Sequence, residues 1–65
     1  MKIIVNGVQE ATEAGSIAEF LKERGLAGAG VVVEHNYQIV KRDHWAETEL
    51  SEGDNLEVLN FVGGG

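Results

Sequence analysis

The sequence predicts an α+β fold in which one short helix packs on one face of a sheet of four to five strands. Three local signals lead to this prediction. Asn6-Gly7 between two apolar stretches is a strong signal for a β-hairpin, and Ser16 with Glu19 forms a capping box that begins a helix. Val31-Val32-Val33 then restarts a β pattern. Because so short a helix must bury its apolar stripe, it is expected to cover one face of the sheet and leave the other open.

The individual elements follow from spacing and from turn residues. The helix is about two turns long, because Ile17, Phe20 and Leu21 fall on one face and Gly25 supplies a C-terminal stop. Trp45 is the one large anchor in a stretch without a clear period, which predicts a turn or a single helical turn. In chain order we expect strands at Lys2–Val5 and Val8–Thr12, a helix from about Ile17 to Arg24, strands at Val31–Val33 and Ile39–Val40, a turn at Ser51–Asp54, and a last strand from about Asn55 to Phe61.

Alternation along the strands divides the apolar side chains between the two faces. Ile3 and Val5 share one face of the first strand, and Leu56 and Val58 share one face of the last. We predict that these four lie beneath the helix. The rest of the predicted core is Val31 or Val32, Val33, Ile17, Phe20, Leu21, Trp45 and Leu50.

The opposite parity places Ile4, Leu59 and Phe61 on the open face, where the core does not need apolar side chains. Such a group indicates a surface that binds a partner protein. Two alternatives remain: single exposed apolar residues are normal in soluble proteins, and a bulge that shifts the parity would bury one of the three.

Composition limits the classes of function. The chain has 65 residues, of which eleven are acidic and five are basic, giving a net charge of −6. This charge disfavours nucleic acid and membrane surfaces as partners and favours a basic docking surface, although solubility alone would also account for it. No stretch is long enough to span a membrane, and the N-terminal apolar stretch is too short for a signal peptide. We therefore expect a cytoplasmic protein with a single domain at residues 1–62.

No arrangement of residues indicates catalysis. The chain has no cysteine, so it offers neither a disulfide nor a thiolate site for zinc. His35 and His44 are more typical of surface or half-buried histidines than of metal ligands, and carboxylate pairs such as Glu47/Glu49 are typical of a solvated rim. A chain of this length is too small for a substrate cleft. We expect no catalytic residues, no metal, no bound cofactor and no enzymatic activity of its own.

The glycines at residues 63–65 are predicted to form a flexible C-terminal tail that ends in a free carboxylate. Glycine has no Cβ, so such a tail can thread a narrow channel in another protein, and its terminal carbonyl is open to a nucleophile. A carboxylate must first be activated, commonly by adenylation with ATP. The alternative is a frayed tail without a role.

The features taken together resemble the ThiS family, the ubiquitin-like sulfur carriers of thiamin thiazole synthesis. The resemblance covers the whole chain and rests chiefly on "WAETEL" at Trp45–Leu50, the turn at Gly53-Asp54 and "VGGG" at Val62–Gly65. It implies a β-grasp fold, a mixed sheet in which the first and last strands are adjacent and parallel at the centre.

The resemblance also implies a sulfur-transfer cycle. An E1-like adenylyltransferase would use ATP to adenylate the carboxylate of Gly65, and sulfur originating from a cysteine desulfurase would convert it to a thiocarboxylate. A thiazole synthase would then take the sulfur. By position, Gly65 bears the sulfur and Gly63 and Gly64 enter the partner sites. The docking face is implied to be Ile4, Leu59, Phe61 and Val62.

Two other functions remain open from the sequence. One is a sulfur carrier for molybdopterin synthesis, although relatives of that kind are longer and contain extra helical material. The other is a ubiquitin-like binding module whose tail is never activated.

Overall fold

The structure, a computed structural model, describes residues 1–61. This part of the chain forms a five-stranded sheet, one α-helix and a short 3-10 helix. The elements in order are β1 (Lys2–Val5), β2 (Val8–Ala11), α1 (Ile17–Glu23), β3 (Val31–His35), β4 (Gln38–Val40), the 3-10 helix (Arg42–His44) and β5 (Asn55–Asn60).

The sheet has the strand order β2-β1-β5-β3-β4. β1 and β5 are parallel neighbours at its centre, where Val5 lies opposite Leu56, and the other neighbouring strands are antiparallel. The helix packs on one face of this mixed sheet through Ile17, Phe20 and Leu21. This is a ubiquitin-like β-grasp fold, so the predicted fold class is confirmed.

Both hairpins turn through two residues with positive φ. Asn6 and Gly7 have φ of 49° and 83°, the left-handed values that a tight primed turn requires. Asn36 and Tyr37, between β3 and β4, have φ of 50° and 71°. The Asn6 side chain also joins the two central strands, because its Oδ1 accepts a hydrogen bond from the Val58 amide at 2.8 Å and its Nδ2 donates to the Val58 carbonyl at 3.2 Å.

Helix α1 begins as predicted and ends one residue early. The Ser16 hydroxyl accepts a hydrogen bond from the Glu19 amide at 3.2 Å, which satisfies one of the free amides of the first turn. Arg24, predicted as the last helical residue, instead caps the C-terminus, and its amide donates to the Phe20 carbonyl at 3.2 Å. Gly25 follows with φ of 67°, a conformation typical of glycine after a helix.

The core agrees with the prediction apart from Val58 and Ala14, and it decides between the alternatives Val31 and Val32. Val31 rather than Val32 is buried, because Val31 shares the helix-covered face with Val33. Val58 is only half-buried at the edge of the core, and Ala14 joins the core unpredicted. The buried apolar residues are Ile3, Val5, Ala14, Ile17, Phe20, Leu21, Val31, Val33, Trp45, Leu50 and Leu56.

Candidate partner-binding site

The three described residues of the predicted docking face are all exposed. Ile4 is 37% exposed and lies between the buried Ile3 and Val5 on β1, and Leu59 is 40% exposed and follows the half-buried Val58 on β5. Phe61 follows β5 directly and is 64% exposed. The fourth predicted residue, Val62, lies outside the described residues, as do Gly63, Gly64 and Gly65.

The register of the sheet does not bring all of these side chains together. Ile4 lies opposite Asn55, four positions before Leu59 on β5, which corresponds to about 13 Å along a strand. Leu59 instead lies opposite Val32 on β3. Ile4 therefore sits at a different level of the open face from Leu59.

The apolar neighbours of Leu59 on the open face come from β3 and β4. Ile39 is 68% exposed and lies opposite Glu34, which puts it on the same face as Val32 and within diagonal reach of it. Val32, Ile39 and Leu59 are called the open-face patch below. Val32 and Ile39 were not assigned to the open face from the sequence. A turn at Asn36 and Tyr37 would have indicated it, because that turn sets the register that pairs Glu34 with Ile39.

Two carboxylates adjoin this patch. Glu34 and Glu57 are direct partners in the pairing of β3 with β5, and both are half-buried. Like charges directly opposite on one face of a sheet destabilise it. The open face thus combines apolar and acidic side chains, an arrangement complementary to a partner surface that carries apolar and basic groups.

The end of β5 is held by an unusually close backbone approach. The Phe61 amide donates a hydrogen bond to the Gly30 carbonyl at 2.8 Å, just beyond the paired residues Val31 and Asn60. Gly30 has φ of 82°, and a Cβ at this position would lie 3.2 Å from the Phe61 carbonyl carbon and closer still to its oxygen. We call this pair of residues the Gly30–Phe61 clamp. It fixes the last described residue to the loop before β3.

The loop that carries Gly30 is itself held in place. The Arg42 guanidinium donates to the Ala27 carbonyl at 3.0 Å and to the Gly28 carbonyl. It also lies over the Trp45 ring, 4.4 Å from the ring centre. The buried Trp45 indole donates to the Val40 carbonyl at 2.9 Å, so the residue on which Arg42 packs is itself fixed in the core.

The two histidines make pairwise contacts with carboxylates. His35 lies 2.7 Å from the Asp54 carboxylate, and His44 lies 2.6 Å from Glu47. Within residues 1–61, no group of three or more histidine or acidic side chains is placed to hold a metal ion. A depression of about 630 Å³, lined by Met1, Ala11, Thr12, Glu13 and Glu23, is open to solvent. No helix in this same range is long and apolar enough to cross a membrane.

The fold and the open face define a class of protein, a small ubiquitin-like domain with one sheet face left uncovered by the helix and a last strand at the centre of the sheet. The sequence profile of the ThiS family matches residues 3–65. The chain belongs to the ThiS family.

Individual relatives agree with this assignment. The sulfur carrier protein ThiS of Bacillus subtilis is 36% identical over 53 residues, which cover 82% of this chain and 80% of that protein. A crystal structure of the thiamine biosynthesis protein ThiS from Geobacter metallireducens superposes with a TM-score of 0.82 at 35% identity and covers all of both chains.

A much longer relative is similar over one region. The thiazole synthase of Paramagnetospirillum magneticum is 36% identical over 66 residues, which cover all of this chain. The chain spans only 20% of the length of that protein.

Proposed function

We infer that this protein is a sulfur carrier of thiamin synthesis, and we propose that the α-carboxylate of Gly65 is the group that carries the sulfur. The observation that supports this most strongly is the family match over residues 3–65, which includes all three glycines after Val62. The position of β5 is consistent with it, since this strand ends at Asn60 and only Phe61 and Val62 separate it from the glycines.

The chemistry requires activation of the carboxylate by a partner. In an E1-like enzyme, the Gly65 carboxylate would attack the α-phosphate of ATP, forming an acyl-adenylate and releasing pyrophosphate. A protein persulfide, supplied by a cysteine desulfurase, would then displace AMP and form an acyl disulfide. Attack by a thiol on that disulfide would release the thiocarboxylate. This chain supplies the carboxylate, and the partners supply ATP, persulfide and thiol.

The proposed consumer of the sulfur is a thiazole synthase. A region similar to this chain forms part of one such protein, so the two are present on a single polypeptide in that relative. A carrier and its consumer that share one chain are held at high effective concentration, as expected for partners that act together.

We propose that partners dock on the face expected from the sequence, which comprises Ile4, Leu59, Phe61 and Val62. The centre of this docking face is placed at Leu59. Leu59 belongs to the open-face patch and lies near the end of β5, whereas Ile4 lies at another level of the face. We propose that the E1-like enzyme and the thiazole synthase contact the patch around Leu59 with apolar side chains, and Glu34 and Glu57 with basic ones.

Intact-mass spectrometry tests the proposal. The protein is incubated with ATP, an E1-like adenylyltransferase of the thiamin pathway and a persulfide donor with thiol. We expect the mass to rise by the difference between sulfur and oxygen. A variant that lacks Gly65 is the matched control and should not change. No mass change in the intact protein, with the same enzyme shown to be active on another carrier, would contradict the proposal.

A further inference from the structure

We propose that Gly30 is a positioning residue for sulfur transfer, because its clamp with Phe61 fixes the peptide from which the chain continues to Gly65. This inference rests on the proposed function, since it concerns how the Gly65 carboxylate reaches a partner's active site. Gly30 itself lies in the loop before β3 and takes no part in the chemistry.

The first observation in support is the close contact between Gly30 and the Phe61 backbone. Of the glycines within residues 1–61, Gly30 is the one whose added Cβ would collide with backbone from a distant part of the chain, the Phe61 carbonyl. An added Cβ at Gly15 would meet only the flexible Glu19 carboxylate at 3.6 Å, and at Gly7, Gly25, Gly28 and Gly53 it would meet nothing within 4 Å. A backbone carbonyl cannot rotate aside as a side chain can. A side chain at residue 30 must therefore displace either the loop or the strand end.

The second support is the difference in anchoring on the two sides of the clamp. The loop side is fixed by the hydrogen bonds of Arg42 to Ala27 and Gly28 and by the packing of Arg42 on buried Trp45. On the strand side, Phe61 is exposed and lies outside β5, and its amide is paired with the Gly30 carbonyl. The Phe61 peptide is therefore the part that yields, so a side chain at residue 30 would shift the point from which the chain continues to Gly65.

The position of the Phe61 peptide matters because the reacting carboxylate of Gly65 is separate from the docking face. The open-face patch and the Phe61 side chain determine how the domain sits on its partner, whereas the position of the Phe61 peptide affects where the terminal carboxylate arrives. A misplacement of about 1 Å at a reacting group can lower a rate by roughly a hundredfold, and only part of a shift at Phe61 can be absorbed by the short stretch between it and the Gly65 carboxylate. Loss of the clamp should accordingly lower kcat for adenylation while leaving KM, which reports docking here, nearly unchanged.

The glycines of this chain provide matched controls. Gly25 has φ of 67°, close to the 82° of Gly30, but open space around it, so Gly25→Ala reproduces the backbone strain without the collision. Gly28→Ala introduces neither, since Gly28 lies on the same loop with no positive φ and no close neighbour. A comparison of Gly30→Ala with these two variants separates three effects: backbone strain at positive φ, a substitution in this loop, and the collision with Phe61.

The experiment measures kcat and KM for adenylation of Gly65 by the E1-like enzyme, together with hydrogen exchange of the Phe61 amide. For Gly30→Ala we expect kcat to fall by about tenfold or more with KM within about twofold of wild type, and faster exchange at Phe61. Gly25→Ala and Gly28→Ala should keep the wild-type kcat. Equal kcat for Gly30→Ala and Gly25→Ala would overturn the inference.

A second variant covers the case in which Gly30→Ala does not fold. Arg42→Gln releases the loop from its support without adding a side chain at the clamp, and we expect it to lower kcat in the same direction with little change in KM. Unchanged kcat in Arg42→Gln would also overturn the inference. Absence of adenylation in the wild-type protein contradicts the proposed function instead, so the two failures are distinguishable.

Discussion

The imidazole of His35, at the end of β3, lies 2.7 Å from the carboxylate of Asp54, the residue immediately before β5. The same carboxylate accepts hydrogen bonds from the Ser51 amide at 2.8 Å and from the Asn36 side chain at 3.2 Å. Asp54 therefore ties the β3–β4 hairpin to the turn that begins the central strand β5.

This arrangement predicts an acid-sensitive contribution to stability. Burial by itself would raise the pKa of Asp54, but the hydrogen bonds from His35, Ser51 and Asn36 outweigh it and hold that pKa below the ordinary value of 3.8. A carboxyl group with a lowered pKa in the folded state stabilises the protein above its unfolded pKa. That stabilisation is lost as the pH falls through the lowered pKa.

Asp54→Asn tests this prediction. We expect the variant to lose about 1–3 kcal/mol of unfolding free energy near neutral pH, and the difference from wild type to shrink in the acid range below pH 3.8. Urea unfolding at a series of pH values measures both quantities. Asp43→Asn, at an exposed carboxylate on the 3-10 helix, is the control and should follow the wild-type curve. A constant difference between Asp54→Asn and wild type across the acid range would refute the assignment.

Asn6 is predicted to stabilise the centre of the sheet through its side chain. Asn6→Ala removes both hydrogen bonds to Val58 and places a residue less suited to positive φ at 49°, so we expect a loss of about 2 kcal/mol. Asn6→Asp keeps an acceptor for the Val58 amide and should lose less. Chemical unfolding of the three proteins gives the order. If Asn6→Ala were as stable as wild type, the link between Asn6 and β5 would contribute nothing.

The open-face patch and the neighbouring Phe61 are predicted to bind the partner without being needed for folding. Leu59→Ala and Phe61→Ala should weaken binding to the E1-like enzyme by about tenfold or more and change stability by less than about 1 kcal/mol, because both side chains are exposed. Ile4→Ala should have a smaller effect on binding. Titration calorimetry measures the affinities, with Val8→Ala as the control at an apolar residue outside the patch that is about as exposed as Phe61. A larger effect of Ile4→Ala than of Leu59→Ala would move the docking site to the other level of the sheet.

The opposed carboxylates Glu34 and Glu57 are predicted to speed association with a basic partner and to lower the stability of the free domain. Glu57→Gln removes the repulsion between them, so we expect the free domain to gain about 0.2–1 kcal/mol, and association with a basic partner to become slower and less dependent on salt. Unfolding and stopped-flow binding measure the two effects. Glu13→Gln makes the same change in net charge at an exposed site away from the pair. Equal association rates for the two variants would leave no specific role for the pair in binding.

The parts of the fold that follow from local signals were predictable from the sequence. Asn6-Gly7 and the Ser16–Glu19 capping box both lie where the patterns placed them, because each depends only on residues close in the chain. The register that brings Leu59 beside Val32 was not predictable, since it depends on pairing between distant strands. The Gly30–Phe61 clamp was not predictable for the same reason, because no residue near Gly30 in the sequence indicates that Phe61 lies against it.

The central claim, that sulfur carried on Gly65 is used to form a thiazole, has one direct test. The carrier is charged with heavy-sulfur label in the presence of the E1-like enzyme, purified, and given to a thiazole synthase with its small-molecule substrates for a single turnover. Mass spectrometry then follows the label. We expect the label to appear in the thiazole product while the carrier returns to the mass of its carboxylate form. Label that stays on the carrier with an active thiazole synthase, but leaves it when molybdopterin synthase components are supplied, would contradict the account.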